Sequence, residues 1–172
     1  MVYPWYETLS LTENILQGDF VPDCPLIIPP DTFEDDQELT VKTLNAIVMS
    51  QSCDITNGNV EIILVCPYYD LEYFYTMHPT SKDGSAGGKK KVKEELVKGN
   101  YHSYHILQKD KTHNLNDYII VDFRNVYGVH SKFLKEHLLK IKNRNRLLPP
   151  YREHLSQAFA RYFMRVGLPI NI

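Results

Sequence analysis

At 172 residues, with 43% hydrophobic and 23% charged side chains, the chain has the make-up of one globular domain long enough to bury a core. Its formal net charge of -2 excludes a general electrostatic pull toward nucleic acid or acidic membranes, so any such partner must meet a local patch. No apolar run approaches the roughly 20 residues of a membrane helix, and Cys24, Cys53 and Cys66, lacking CxxC spacing, argue against a disulfide framework or a four-ligand zinc site.

The first residues, MVYPWYETLS, lack the basic start and apolar stretch of a signal peptide, so the expected compartment is the cytoplasm, with no membrane partner. A short helix is expected next, with Ser10 as cap and Glu13 three residues on as its capping-box partner. Gly18-Asp19 stops it, and Phe20-Val21 opens a first strand. The segment from Val21 to Glu38 is acidic and punctuated by proline, which cannot donate to a central ladder, so it reads as irregular or as a sheet edge.

Thr40–Met49 and Val60–Val65 read as central strands, joined through Asn57-Gly58, a dipeptide suited to a tight hairpin turn. Tyr68–Tyr75 is an aromatic loop or further strand. SKDGSAGG, residues 81–88, reads as a flexible loop, followed by a basic helical segment from Lys89 to Lys98. Tyr101–Gln108 and Tyr118–Phe123 read as strands, and Ser131 is placed to cap a helix over Lys132–Lys140. The last helix follows Pro150, with Leu155, Phe159, Tyr162, Phe163 and Val166 on one face, and ends at Gly167 and Pro169. The expected architecture is a mainly β (α+β) single domain: a small barrel or curled sheet over residues 18–139, extended by a C-terminal helical segment over 140–172.

The order Gly18-Asp19-Phe20-Val21, then Ile47-Val48-Met49-Ser50, Asn57-Gly58, Val65-Cys66-Pro67 and Val121-Asp122-Phe123-Arg124-Asn125-Val126 resembles the MazF/PemK toxin family. The resemblance implies an SH3-like barrel, RNA as substrate class, metal-independent RNA cleavage with no cofactor, and a bacterial toxin–antitoxin or defence setting. Two positions depart from the family pattern. Leu44-Asn45 stands where family members usually carry an arginine, and Tyr68-Tyr69 stands where a threonine or serine is common. A neutral asparagine cannot balance charge developing on a phosphate, so the family's cleavage site is expected to be absent or rebuilt.

Three sets of residues carry the chemistry the sequence suggests. In the cluster Ser50–Asp54, Cys53 could act as nucleophile and Asp54 as orienting acid, with His102 or His105 as base; alternatively, Ser50, Ser52 and Asp54 satisfy a tight connection and Cys53 packs as a small apolar residue. His102 and His105, three apart, fall on opposite faces of a strand, so a shared metal is not expected. Lys89, Lys90, Lys91, Arg144 and Arg146, with Tyr68 and Tyr69, could make a phosphate-binding and base-stacking surface. The alternative is a solvated charge face, with Arg144 and Arg146 in a polar hinge ion-paired to Glu34-Asp35-Asp36. The partners compatible with these features are RNA or another single-stranded nucleic acid, a protein partner, and a second copy in a homodimer.

Overall fold

A computed structural model describes residues 3–11, 13–32 and 38–164. The run Glu34-Asp35-Asp36, and Val166, Gly167 and Pro169 at the expected end of the last helix, lie outside the described residues. In chain order the elements are β1 (Tyr6–Leu9), β2 (Phe20–Ile28), β3 (Thr40–Val48), α1 (Ser52–Thr56), β4 (Ile62–Asp70), α2 (Leu71–Met77), α3 (Ala86–Val97), β5 (Tyr104–Leu107), a 3₁₀ turn (Lys111–His113), β6 (Ile119–Asp122), β7 (Tyr127–His130), α4 (Ser131–Leu138), β8 (Arg144–Leu147) and α5 (Tyr151–Phe163).

The fold is α+β and its pairings are antiparallel. The main sheet runs β2-β3-β4-β6-β5, with β7 also on β4, and β1 pairs β8 in a second small sheet. β4 is the hinge of this arrangement. Its first half pairs with β7 and β3, and Tyr68–Asp70 pair with β6. The sheet is not closed into a barrel by a ladder among the described residues. The second sheet nevertheless approaches the β5 end of the main sheet, where the buried Tyr6 of β1 donates its hydroxyl to the Gln108 carbonyl.

Strand alternation sorts the core into three clusters. Ile47, Cys66 and Val121 face the concave side with Tyr6 and Phe20, and α5 lies over them through Leu155, Phe159 and Tyr162. Val48, Ile63 and Val65 face outward and are covered by Leu134 and Leu138 of α4. Ile120 also faces outward, under Phe74 of α2 and Val92 and Leu96 of α3. The outer face of the sheet therefore has two separate helical covers.

The expected proline-punctuated edge is present: β2 ends the sheet, carries Pro22 and Pro25, and breaks register between Val21 and Cys24. The expected central strands are β3 and β4, but their connection is not a two-residue turn. The SQSCD segment winds into α1, with Ile55 donating to the Gln51 carbonyl (3.2 Å) and Asn57 to Cys53 (3.0 Å). Gly58 follows at φ +68, so Asn57-Gly58 terminates a helix instead of reversing a strand. Residues 81–85 turn, with the Ser81 hydroxyl on the Tyr75 carbonyl (3.0 Å), and 86–88 open α3, capped by Ser85 at Gly88 (3.2 Å), so the expected flexible loop is not there. α4 is capped by the His130 ring, one residue before Ser131.

The N-terminal helix expected from Ser10 does not form. Guanidinium groups claim its carbonyls: Arg144 donates to Ser10 (3.2 Å), Glu13 (2.7 Å) and Asn14 (3.1 Å), and Arg146 to Asn14 (2.6 Å). Both arginines belong to β8, in a segment read from sequence as a polar entry to the last helix. Both also pair with Asp19, which is 0% exposed; Arg144 lies 3.3 Å away through Nε, and Arg146 forks onto both carboxylate oxygens. Gly18, at φ +84, brings this aspartate in. A Cβ on Gly18 would stand 3.2 Å from Leu147 Cβ and 3.3 Å from Arg152 Cγ.

Removing one member of a buried ion network strands the others without counter-charge. Asp19→Ala is expected to cost about 3–5 kcal/mol, read as a lower urea midpoint by Trp5 fluorescence. Exposed Lys90→Ala is expected to stay within about 0.5 kcal/mol of the parent.

Candidate functional site

The burial of Arg144 and Arg146, 3% and 7% exposed, removes them from the expected phosphate-binding surface. Their charge is spent on Asp19 and on backbone carbonyls. Tyr68 is also turned inward, packing edge-on against Phe20 at 5.0 Å in the concave core. Of the lysines, Lys89 is held by Glu72 (2.7 Å) and sits over the Tyr75 ring (5.2 Å), whereas Lys90 and Lys91 are exposed on α3.

The predicted catalytic residues are not brought together. Cys53 is exposed on α1, in a polar notch lined by Gln17, Gln51, Ser52, Arg152, Glu153, Ser156 and Gln157. No histidine lines that notch, and its Arg152 is taken by Glu153 (2.7 Å). Asp54 lies in the first turn of α1, and His102 is exposed in the turn before β5. No hydrogen bond joins Cys53, Asp54 and His102 among the described residues. The serines do the structural work of the connection: Ser50 accepts from the Leu64 amide (2.8 Å) and Ser52 from the Gln17 amide (3.1 Å). Among the described residues no three His, Cys, Asp or Glu side chains gather as a metal site.

A different constellation forms on the outer face, between the two helical covers. Tyr69 of β4 shares this face with Tyr104 of β5 and Asp122 of β6, which are cross-strand partners. Asp122 is 1% exposed and anchors Arg124 by a fork, Nε to Oδ1 at 3.0 Å and Nη2 to Oδ2 at 2.8 Å. The Arg124 amide also donates to Oδ1 (3.0 Å). The guanidinium lies 4.8 Å from the Tyr104 ring centre, and its side chain is 52% exposed. Tyr73 of α2, itself exposed, sets its ring 5.6 Å from that of Tyr69. The result is a planar cation, oriented on one side and open to solvent, among tyrosine rings.

The electrostatics match the geometry. Burial first, then the Asp122 carboxylate and the neighbouring Tyr127 and Tyr73, push the Tyr69 hydroxyl up to about 12, with Arg124 acting the other way. Tyr69 therefore keeps its proton as a hydrogen-bond donor. Bonding to Asp122 raises the Arg124 pKa further, so its charge is permanent. Burial, and then Arg124, lower the pKa of His78, which touches Phe74 and Tyr101. A forked arginine stacked on an aromatic ring suits phosphate contact and stacking on a planar base. Sequence reasoning missed Tyr104 and Arg124. The available signal was Asp122-x-Arg124 at the end of a strand, where a buried carboxylate can orient an arginine two residues later.

Two outcomes follow for the titrating groups. Burial, then His154, drive His105 from 6.5 down to about 4, so the folded state holds it neutral while the unfolded chain protonates it. The stability from this residue is complete above pH 6.5 and is lost as pH falls through 4, by about 3 kcal/mol. His105→Gln should flatten that part of the pH–stability curve. Burial pushes Cys24 up to about 11 and, with Asp122 adding, Cys66 up to about 12. Under native conditions a disulfide reagent should titrate Cys53 alone, with Cys24 and Cys66 reacting only after urea.

No helix among the described residues is long and apolar enough to cross a membrane. No protein-family model matches the chain, and no curated protein sequence matches it.

Proposed function

We propose that this protein is a MazF/PemK-like, SH3-like barrel protein that binds single-stranded RNA without cutting it, in a bacterial toxin–antitoxin or defence setting. The observation that carries the binding is Arg124, forked onto buried Asp122 and laid over Tyr104, with Tyr69 and Tyr73 beside it. Bases stack on the tyrosine rings and on the guanidinium plane, and Arg124 neutralises one phosphate. Exposed Lys90 and Lys91 on α3 add a diffuse, salt-sensitive attraction. The approach of β1 to the end of β5 through Tyr6 supports the barrel reading. The absence of an arginine at Leu44-Asn45, and a Cys53 notch lined by no histidine, support binding without turnover.

A second reading, a non-enzymatic protein-interaction subunit of a larger bacterial assembly, is favoured by one feature. The β2–β3 hairpin exposes Ile27, Leu39 and Val41, each more than half accessible.

Fluorescence anisotropy with a labelled mixed-sequence oligoribonucleotide separates the two. Wild type is expected to bind, more weakly as salt rises, and to leave the RNA intact. Arg124→Ala and Tyr73→Ala should each weaken binding about tenfold, the scale of one lost stacking or charge contact. Equal affinity in all three proteins overturns the assignment of this face, and no binding at low salt leaves the assembly reading.

A further inference from the structure

β5 is the last strand of the sheet, so among the described residues one of its edges meets no other strand. Phe123 donates to the Ser103 carbonyl (2.9 Å), which makes residues 103, 105 and 107 the ones that exchange hydrogen bonds with β6. Ile106 and Gln108 therefore direct their backbone groups to the open edge. The Gln108 carbonyl receives the Tyr6 hydroxyl. The Ile106 N–H and C=O face a groove of about 360 Å³ that runs along residues 105–108.

The groove has two banks. One is the end of α3, with Leu96, Val97 and Lys98. The other is aromatic: Trp5 and Tyr151 stack with ring centres 3.5 Å apart and planes 9° from parallel, and His154 stands beside them. Tyr118 also lines the groove, with the Lys93 and Lys109 ammonium groups over its ring at 4.1 and 5.5 Å. Among the described residues no acidic side chain lines it.

We propose that the recessed β5 edge is a docking groove for an extended peptide segment of a partner protein, with acidic side chains alternating with apolar ones, bound by strand addition. The backbone of Ile106 supplies the ladder contacts. The Trp5–Tyr151 and Leu96–Val97 banks receive apolar side chains, and the lysines around Tyr118 complement the acidic ones. The banks also select the occupant. In a second copy of this chain β5 is sunk between the same walls, so two recessed edges cannot meet, whereas a free extended segment can enter. This site is separate from the Arg124 face, and its assignment does not rest on the nucleic-acid reading.

The test is an array of capped peptides in which glutamate alternates with varied apolar residues, with lysine-for-glutamate copies as the charge control. Bound glutamate peptides should slow hydrogen exchange at the Ile106 amide. They should weaken about tenfold or more when alternate amides are N-methylated, and when lysine replaces glutamate. Ile106→Pro should abolish binding while preserving the β5–β6 ladder, because its N–H points away from β6. The N-methylated peptides give the same information on wild-type protein if that variant fails to fold. Absence of any bound glutamate peptide, or equal binding of the N-methylated copies, overturns the proposal. A concentration-dependent dimer of the wild type that Ile106→Pro dissolves would assign the edge to a second copy instead, and would also overturn it.

Discussion

The structure is organised around one buried carboxylate. Asp19 is fully enclosed, and two guanidinium groups from β8 converge on it. Burying charge costs several kcal/mol per ion unless the geometry satisfies it fully. Here the spare donors of Arg144 and Arg146 are used as well, on the carbonyls of Ser10, Glu13 and Asn14. The network therefore fixes three things together: the path of the β1–β2 connection, the placement of β8 beside β1, and the approach of β8 to the start of β2. The backbone around it is part of the same joint. The Gly18 amide bonds Val48, the Gly18 carbonyl accepts from Leu147, and the Asp19 carbonyl accepts from Val48.

From that joint the rest follows by packing. β8 leads directly into α5, and Leu155, Phe159 and Tyr162 close the concave core that Tyr6 and Phe20 begin. The outer face is divided because β4 changes partners along its length, from β3 and β7 to β6. α4 covers one half of that face and the α2–α3 pair covers the other. The Tyr69–Arg124 strip lies where the two covers leave off. The β5 groove lies where the sheet itself ends. Both surfaces follow from strand order, with Arg124 supplied by the turn between β6 and β7.

Much of the secondary structure was legible because it depends on local pattern. Apolar, β-rich runs marked β3, β4, β5 and β6, the prolines marked β2 as irregular or an edge, and the Leu155–Phe159–Tyr162 stripe marked α5. The failures share a cause. Ser10-x-x-Glu13 has the form of a helix start, but distant arginines take the carbonyls a helix would use. Asn57-Gly58 has the form of a hairpin turn, but the preceding SQSCD residues wind one helical turn and the glycine ends it. Arg144 and Arg146 read as a phosphate-binding surface or a polar hinge because their partner, Asp19, lies more than a hundred residues away.

By itself the sequence determined the residue types and their local pattern: β-rich apolar runs, a final amphipathic helix and an edge guarded by proline. Local propensity and alternation act over a few residues, so they survive without a fold. Tertiary structure alone decided which charges are buried and which are offered to a ligand. It spent Arg144 and Arg146 on Asp19, turned Tyr68 inward, and kept Cys53 and Asp54 apart from the histidine that chemistry would have required. It also oriented Arg124 on Asp122 between tyrosines drawn from β4, α2 and β5. The physical reason is that burial and ion pairing depend on distance in space, which the order of residues along the chain does not specify.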